Sequence, residues 1–102
     1  MLRLIEARRL DIAELCQRFH VHRLDVFGSA ARVSDVDPSR SDIDLLVSYV
    51  PGYHPGIAEY QDLRDALTVL LERPVDLVVD GAVENPFIRA GIERLRELLY
   101  AA

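Results

Sequence analysis

The 102-residue chain has one cysteine, Cys16, so it can close no disulfide within itself and cannot build a zinc site from cysteines. That scarcity points to a reducing, cytoplasmic compartment. No apolar run approaches the roughly 20 residues that a membrane-spanning helix needs, and residues 1–10 carry three arginines and a glutamate, unlike a leader peptide. Positive charge is also short, with 12 Lys and Arg against 17 Asp and Glu for a formal charge of −5. Direct binding to nucleic acid by neutralising its phosphates is therefore not expected. There is no internal repeat and no low-complexity tract. With half its residues hydrophobic and 28% charged, the chain is expected to fold as one compact domain over residues 1–102.

Glycines and prolines divide that domain into elements of ordinary length. Ile5, Ile12, Leu15, Cys16 and Phe19 recur at helical spacing, which predicts an amphipathic helix over 2–19. Residues 21–27 are rich in Val, Leu and Phe and stop at Gly28-Ser29, as a strand does on entering a tight turn. A short helical turn at 29–32 and an exposed loop over 33–41 follow. Residues 42–48 predict a strand, with Ile43, Leu45 and Val47 on one face and Asp42, Asp44 and Leu46 on the other. A Pro- and Gly-rich loop over 49–56 leads to a helix over 57–72, stopped by Pro74. Residues 75–79 read as a short buried strand interrupted by Asp76, a costly place for a charge without a partner. Asn85-Pro86 is an N-cap with proline at the first helical position, opening a last helix that runs through Leu95, Leu98 and Leu99. The sum is an α/β or α+β sandwich with a small mixed sheet of about three strands and about four helices.

The chemistry concentrates in the carboxylates. Asp42 and Asp44 are two apart on a strand, so their side chains leave the same face from Cα atoms roughly 6–7 Å apart. Such a pair repels unless a cation lies between, and oxygen-only donors favour Mg²⁺ or Mn²⁺ over zinc. A third acid on an adjacent strand, Asp76, would complete a two-metal site. Gly28-Ser29 offers backbone N–H groups and a hydroxyl that can cradle phosphate oxygens. An Asp-x-Asp strand and a Gly-Ser strand exit are each common features of ordinary folds; their ordered combination carries the weight. His20, His22 and His54 are assigned no role, since isolated histidines near loops are mostly surface residues. Tyr49, Tyr53 and Tyr60 border the 49–56 loop, where they could stack on a base or pack on the core.

The residues Phe27-Gly28-Ser29, Ala31-Arg32, Ser41 to Val47 and Val75 to Val78 together resemble the minimal nucleotidyltransferases of the DNA polymerase beta superfamily. The likeness runs over nearly the whole chain. It implies the nucleotidyltransferase fold, with Gly28, Ser29 and Arg32 on the triphosphate of ATP. Asp42, Asp44 and Asp76 would be catalytic and would hold two Mg²⁺ ions, Asp76 also serving as general base. Small members of the family are paired with HEPN-domain toxins. The resemblance therefore implies an antitoxin that moves AMP from ATP to a hydroxyl, a tyrosine, of such a ribonuclease. The chain departs from the family pattern in three places: residues 30–41 form a longer connection than usual, Ala30 replaces an arginine and Val33 replaces a glycine. Those departures keep open a catalytically degenerate antitoxin that neutralises its partner by binding alone. A homo-oligomer also stays open. A transferase acting on a small-molecule hydroxyl would need an acceptor domain that this chain lacks.

Overall fold

The structure, a computed structural model, describes residues 3–27, 43–81 and 85–102. Among these, two short helices, α1 (Arg3–Ala7) and α2 (Arg9–Arg18), precede strand β1 (Val21–Phe27). Strand β2 (Ile43–Tyr49), helix α3 (Ile57–Leu71) and strand β3 (Val75–Val79) form a β-α-β unit, and helix α4 (Pro86–Leu95) leads into strand β4 (Glu97–Ala101). The strands make one sheet in the order β3-β2-β1-β4, parallel between β2 and β3 and antiparallel elsewhere. The helical turn expected at 29–32 and the loop at 33–41 lie outside the described residues.

Side-chain alternation assigns the two faces. On the first, Leu24 and Val26 of β1, Ile43, Leu45 and Val47 of β2, and Val75 and Leu77 of β3 meet Ile5, Ile12 and Cys16 from α1 and α2. Leu63, Leu67 and Leu71, spaced four apart along α3, complete this core. Burial pushes the Cys16 thiol up to about 12, so this cysteine is a packing residue and not a nucleophile. Tight turns set the junctions. Val50 to Tyr53 close with Tyr53 N–H donating to the Val50 carbonyl at 2.9 Å, and Gly52 takes the positive φ of +86° that follows proline in such a turn. Asn85 caps α4 as its sequence implies, its Oδ1 accepting from Phe87 N–H at 2.9 Å.

Two expectations need correction. The helix over 2–19 is two helices, because the chain turns at Arg8 (φ −107°, ψ 12°), whose N–H donates to Ile5 O at 3.1 Å. That turn carries both Ile5 and Ile12 into the core, each fully buried, and no glycine or proline announces it. The last helix also stops at Leu95, and residues 97–101, expected within it, form a fourth strand. Leu98 and Leu99 fit a helical stripe locally, yet the exposed edge of β1 offers backbone partners that a helix would leave unpaired.

Candidate active site

The second face of the sheet carries the acids. Phe27, the last residue of β1, lies opposite Asp44, and Asp44 is the register partner of Asp76 across the parallel β2–β3 ladder. Residues in register on neighbouring strands point to the same face about 4.8 Å apart. The structure thus brings two of the three expected carboxylates side by side. Asp76 is exposed, because β3 is an edge strand, so the burial cost foreseen for its charge does not arise; Asp44 is half-buried. Asp42, Gly28, Ser29 and Arg32 lie outside the described residues. The described neighbours fix where those segments attach, since β1 ends at Phe27 and β2 begins at Ile43, one residue from Asp44.

Two carboxylates held in register on adjacent strands raise each other's energy. A divalent cation relieves that repulsion, and the donor set is all oxygen, as hard ions such as Mg²⁺ require. The pair fits a metal, although among the described residues no group of three or more metal-binding side chains is present.

The next row on the same face holds Asp25, opposite Leu46. Asp25 is only 1% exposed and lies between two guanidiniums. Arg23 Nε donates to both carboxylate oxygens, at 3.2 and 3.0 Å, and Arg96 Nη2 donates to Oδ2 at 2.5 Å. Arg96 links α4 to β4. At the other end of α4, Arg89 Nη2 pairs with Asp80 at 2.8 Å, and Ser48 Oγ donates to the same carboxylate at 3.1 Å. Partial burial works to raise the Asp80 carboxyl, but the bonds from Arg89 and Ser48 outweigh it and hold the group below the usual carboxylate range. The connection from one sheet edge to the other is thus pinned at both ends by arginine–aspartate pairs. Sequence reading singled out none of Asp25, Arg96, Asp80 and Arg89. The available signal was Asp25 itself, a lone acid inside the apolar run Leu24 to Phe27.

Four strand residues beyond Asp76, roughly 13 Å by strand rise, a cavity of about 430 Å³ opens among Tyr49, Tyr53, Tyr60, His54 and Asp80. Tyr53 packs tilted against His20 with ring centroids 4.4 Å apart and donates its hydroxyl to Glu59, while the Tyr60 hydroxyl donates to the Leu77 carbonyl. His20 and His54 thus belong to an aromatic cluster away from the carboxylates.

A family model described as nucleotidyltransferase domain matches residues 12–99. A candidate protein adenylyltransferase of Methanocaldococcus jannaschii is 37% identical over 86 residues, which are 84% of this chain and 82% of that one. A solved structure described as a candidate minimal nucleotidyltransferase superposes with a TM-score of 0.72 at 34% identity, covering 90% of this chain and 89% of its own. A chain from the complex of tri-AMPylated Shewanella oneidensis HEPN toxin with MNT antitoxin shares the fold, with a TM-score of 0.68 at 17% identity over 96% of this chain and 73% of that one.

Proposed function

The chain belongs to the nucleotidyltransferase-domain family, among its minimal nucleotidyltransferases, and from that premise we propose that it transfers AMP from ATP to a tyrosine hydroxyl of a HEPN-family ribonuclease toxin, acting as the antitoxin of the pair. The observation that carries this reading is the register of Asp44 with Asp76 on one face of the sheet, beside the strand end that leads into Gly28-Ser29. The adenylyltransferase name of the Methanocaldococcus relative and the AMPylated toxin in the Shewanella complex support the choice of AMP and of the acceptor.

In this reading Gly28, Ser29 and Arg32 grip the triphosphate and orient the α-phosphorus. Asp42, Asp44 and Asp76 would hold Mg²⁺, which neutralises the charge that gathers on the phosphate oxygens during transfer. Asp76, exposed on the edge strand, faces the side from which an acceptor can arrive and takes the proton of the incoming hydroxyl. The hydroxyl oxygen attacks the α-phosphorus in line, the bond to the bridging oxygen breaks, and pyrophosphate leaves.

The test is incubation with labelled ATP, Mg²⁺ and the HEPN-type protein encoded by the adjacent reading frame. Label is expected on a partner tyrosine and is expected to vanish with Asp44→Asn or Asp76→Asn. The departures at Ala30 and Val33 favour a second reading, inhibition by binding alone. It predicts no label and ribonuclease inhibition that both substitutions leave intact.

A further inference from the structure

We propose that the tyrosine-lined cavity at the far end of β2 and β3 is where the acceptor protein anchors, and that the anchor is one aromatic side chain with a polar tip, a tyrosine or a tryptophan. From there the partner runs along the β3 edge towards Asp76. This inference rests on the proposed pairing with a second protein and not on the transfer chemistry.

The cavity lies where the parallel strands end and α3 begins. Tyr49 closes β2, Val79 closes β3, and Gly56 and Ile57 open the helix between them. The carboxyl ends of parallel strands are the usual place for a ligand crevice in a β-α-β unit. Asp80 N–H donates to the Val47 carbonyl at 2.8 Å, which carries the ladder one residue past Val79 and sets Asp80 on the same face as Asp76. β3 is an edge strand, so a partner seated in the cavity and followed along that edge for four residues, roughly 13 Å, meets the proposed general base. Anchoring and delivery of the acceptor then use one side of the molecule.

The lining selects what fits. Tyr49, Tyr53 and Tyr60 wall the cavity with rings, and rings pack well on rings by offset and edge-to-face contact. Charge does not select, because the Asp80 carboxylate is already matched by Arg89 and Ser48. The polar tip answers to Tyr49, whose hydroxyl is buried without a hydrogen-bond partner among the described residues. Burial, with Tyr60 and Glu59 nearby, pushes its ionisation above the ordinary value, so it stays a neutral hydroxyl that both donates and accepts. A phenol O–H or an indole N–H that reaches it satisfies a group otherwise costly to bury. The walls are also set before a partner arrives: Tyr53 is held by Glu59 and His20, and Tyr60 by the Leu77 carbonyl, so little ordering is left for binding. The rim points to a protein as the occupant. Ile57 is 79% exposed and Val50, next in the chain to Tyr49, is 39% exposed, an apolar surround that a small molecule leaves wet and a docked protein covers.

Binding is measured with the HEPN-type neighbour as probe and without ATP, which keeps the transfer step out of the result. Tyr49→Phe removes only the hydroxyl. The urea midpoint of the free chain should hold or rise, because an unmatched buried group is gone, while the complex weakens about three- to tenfold. A merely structural tyrosine would leave binding unchanged. Ile57→Arg, at an exposed position, should weaken the complex about tenfold or more. A benzophenone side chain placed at position 57 should cross-link to a partner peptide that holds a tyrosine or tryptophan. Binding of a fluorescent ATP analogue to the free chain should not change in either variant. A complex indifferent to both substitutions, or cross-links only to peptides without those residues, would overturn the anchor while leaving the pairing in place. Loss of the ATP analogue in both variants would give the cavity to the nucleotide and overturn it as well. So would self-association in the ultracentrifuge that Ile57→Arg abolishes with partner binding unchanged, which assigns the cavity to a second copy. No complex with the wild-type chain would remove the pairing, and this inference with it. A complex that weakens as expected but takes no label from ATP would count against the transfer reading alone.

Discussion

Asp25 and Asp44 stand one row apart on the same face of the same sheet, and their surroundings differ in kind. Asp25 is buried beneath two arginines that satisfy both its oxygens, whereas Asp44 is set beside a second aspartate, Asp76, which is exposed. A carboxylate matched to fixed guanidiniums is spent on structure. On the proposed reading, one set beside another carboxylate would hold a metal-bound nucleotide.

The contrast can be broken most directly at Asp25. Asp25→Ala removes the Arg96–Asp25 ion pair, whose side chains are 12% and 1% exposed, and losing one member of such a buried pair costs about 3–5 kcal/mol. A large fall in the urea midpoint, or failure to fold, is expected; an unchanged midpoint would mean that the two aspartates are not different in kind. Asp76→Asn should do the reverse. The proposed transfer of AMP is expected to fall by about 10²- to 10⁴-fold as its proposed general base is lost, while the urea midpoint holds or rises because the like charge beside Asp44 is gone. A drop in stability as large as that of Asp25→Ala would sink the assignment.

A third experiment sharpens the same comparison without covalent change to the site residues. Mg²⁺ should stabilise the wild-type chain by about 2.7 kcal/mol at a hundredfold excess over Kd, and Asp44→Asn should abolish that gain in a thermal melt. The smallest effect concerns acid. Asp80 is held below the usual carboxylate range, so the folded state binds its proton less tightly than the unfolded chain does. The resulting stabilisation is present above about pH 4 and is lost as pH falls through the folded value. Arg89→Gln should lower the stability at neutral pH modestly and flatten that part of the acid titration; a profile identical to wild type would show that the Arg89 pair contributes nothing.

Much of the frame was legible beforehand because its signals are local. Alternation of Ile43, Leu45 and Val47 against Asp44 and Leu46 marked β2 and its faces, the four-residue spacing of Leu63, Leu67 and Leu71 marked α3, and Asn85-Pro86 marked the start of α4. The candidate site was legible as a list of acids but not as an arrangement. That Asp44 and Asp76 sit in register depends on β2 and β3 being parallel neighbours, a pairing between segments about thirty residues apart that no local pattern states. The misread elements fail for the same reason. The turn at Arg8 and the strand at Glu97–Ala101 follow from what the rest of the fold leaves for those segments to bury or pair, and Leu98-Leu99 reads equally well at either period.

By itself, then, the sequence determined the elements whose side-chain periodicity is strong, and it supplied the ordered Gly-Ser, Asp-x-Asp and later Asp that place the chain in its family. Only the tertiary structure decided which aspartates become neighbours and which become buried pillars. The residue type is the same in both cases; what separates them is the charge brought alongside by strands and helices distant in the chain, and electrostatic energy depends on that distance in space.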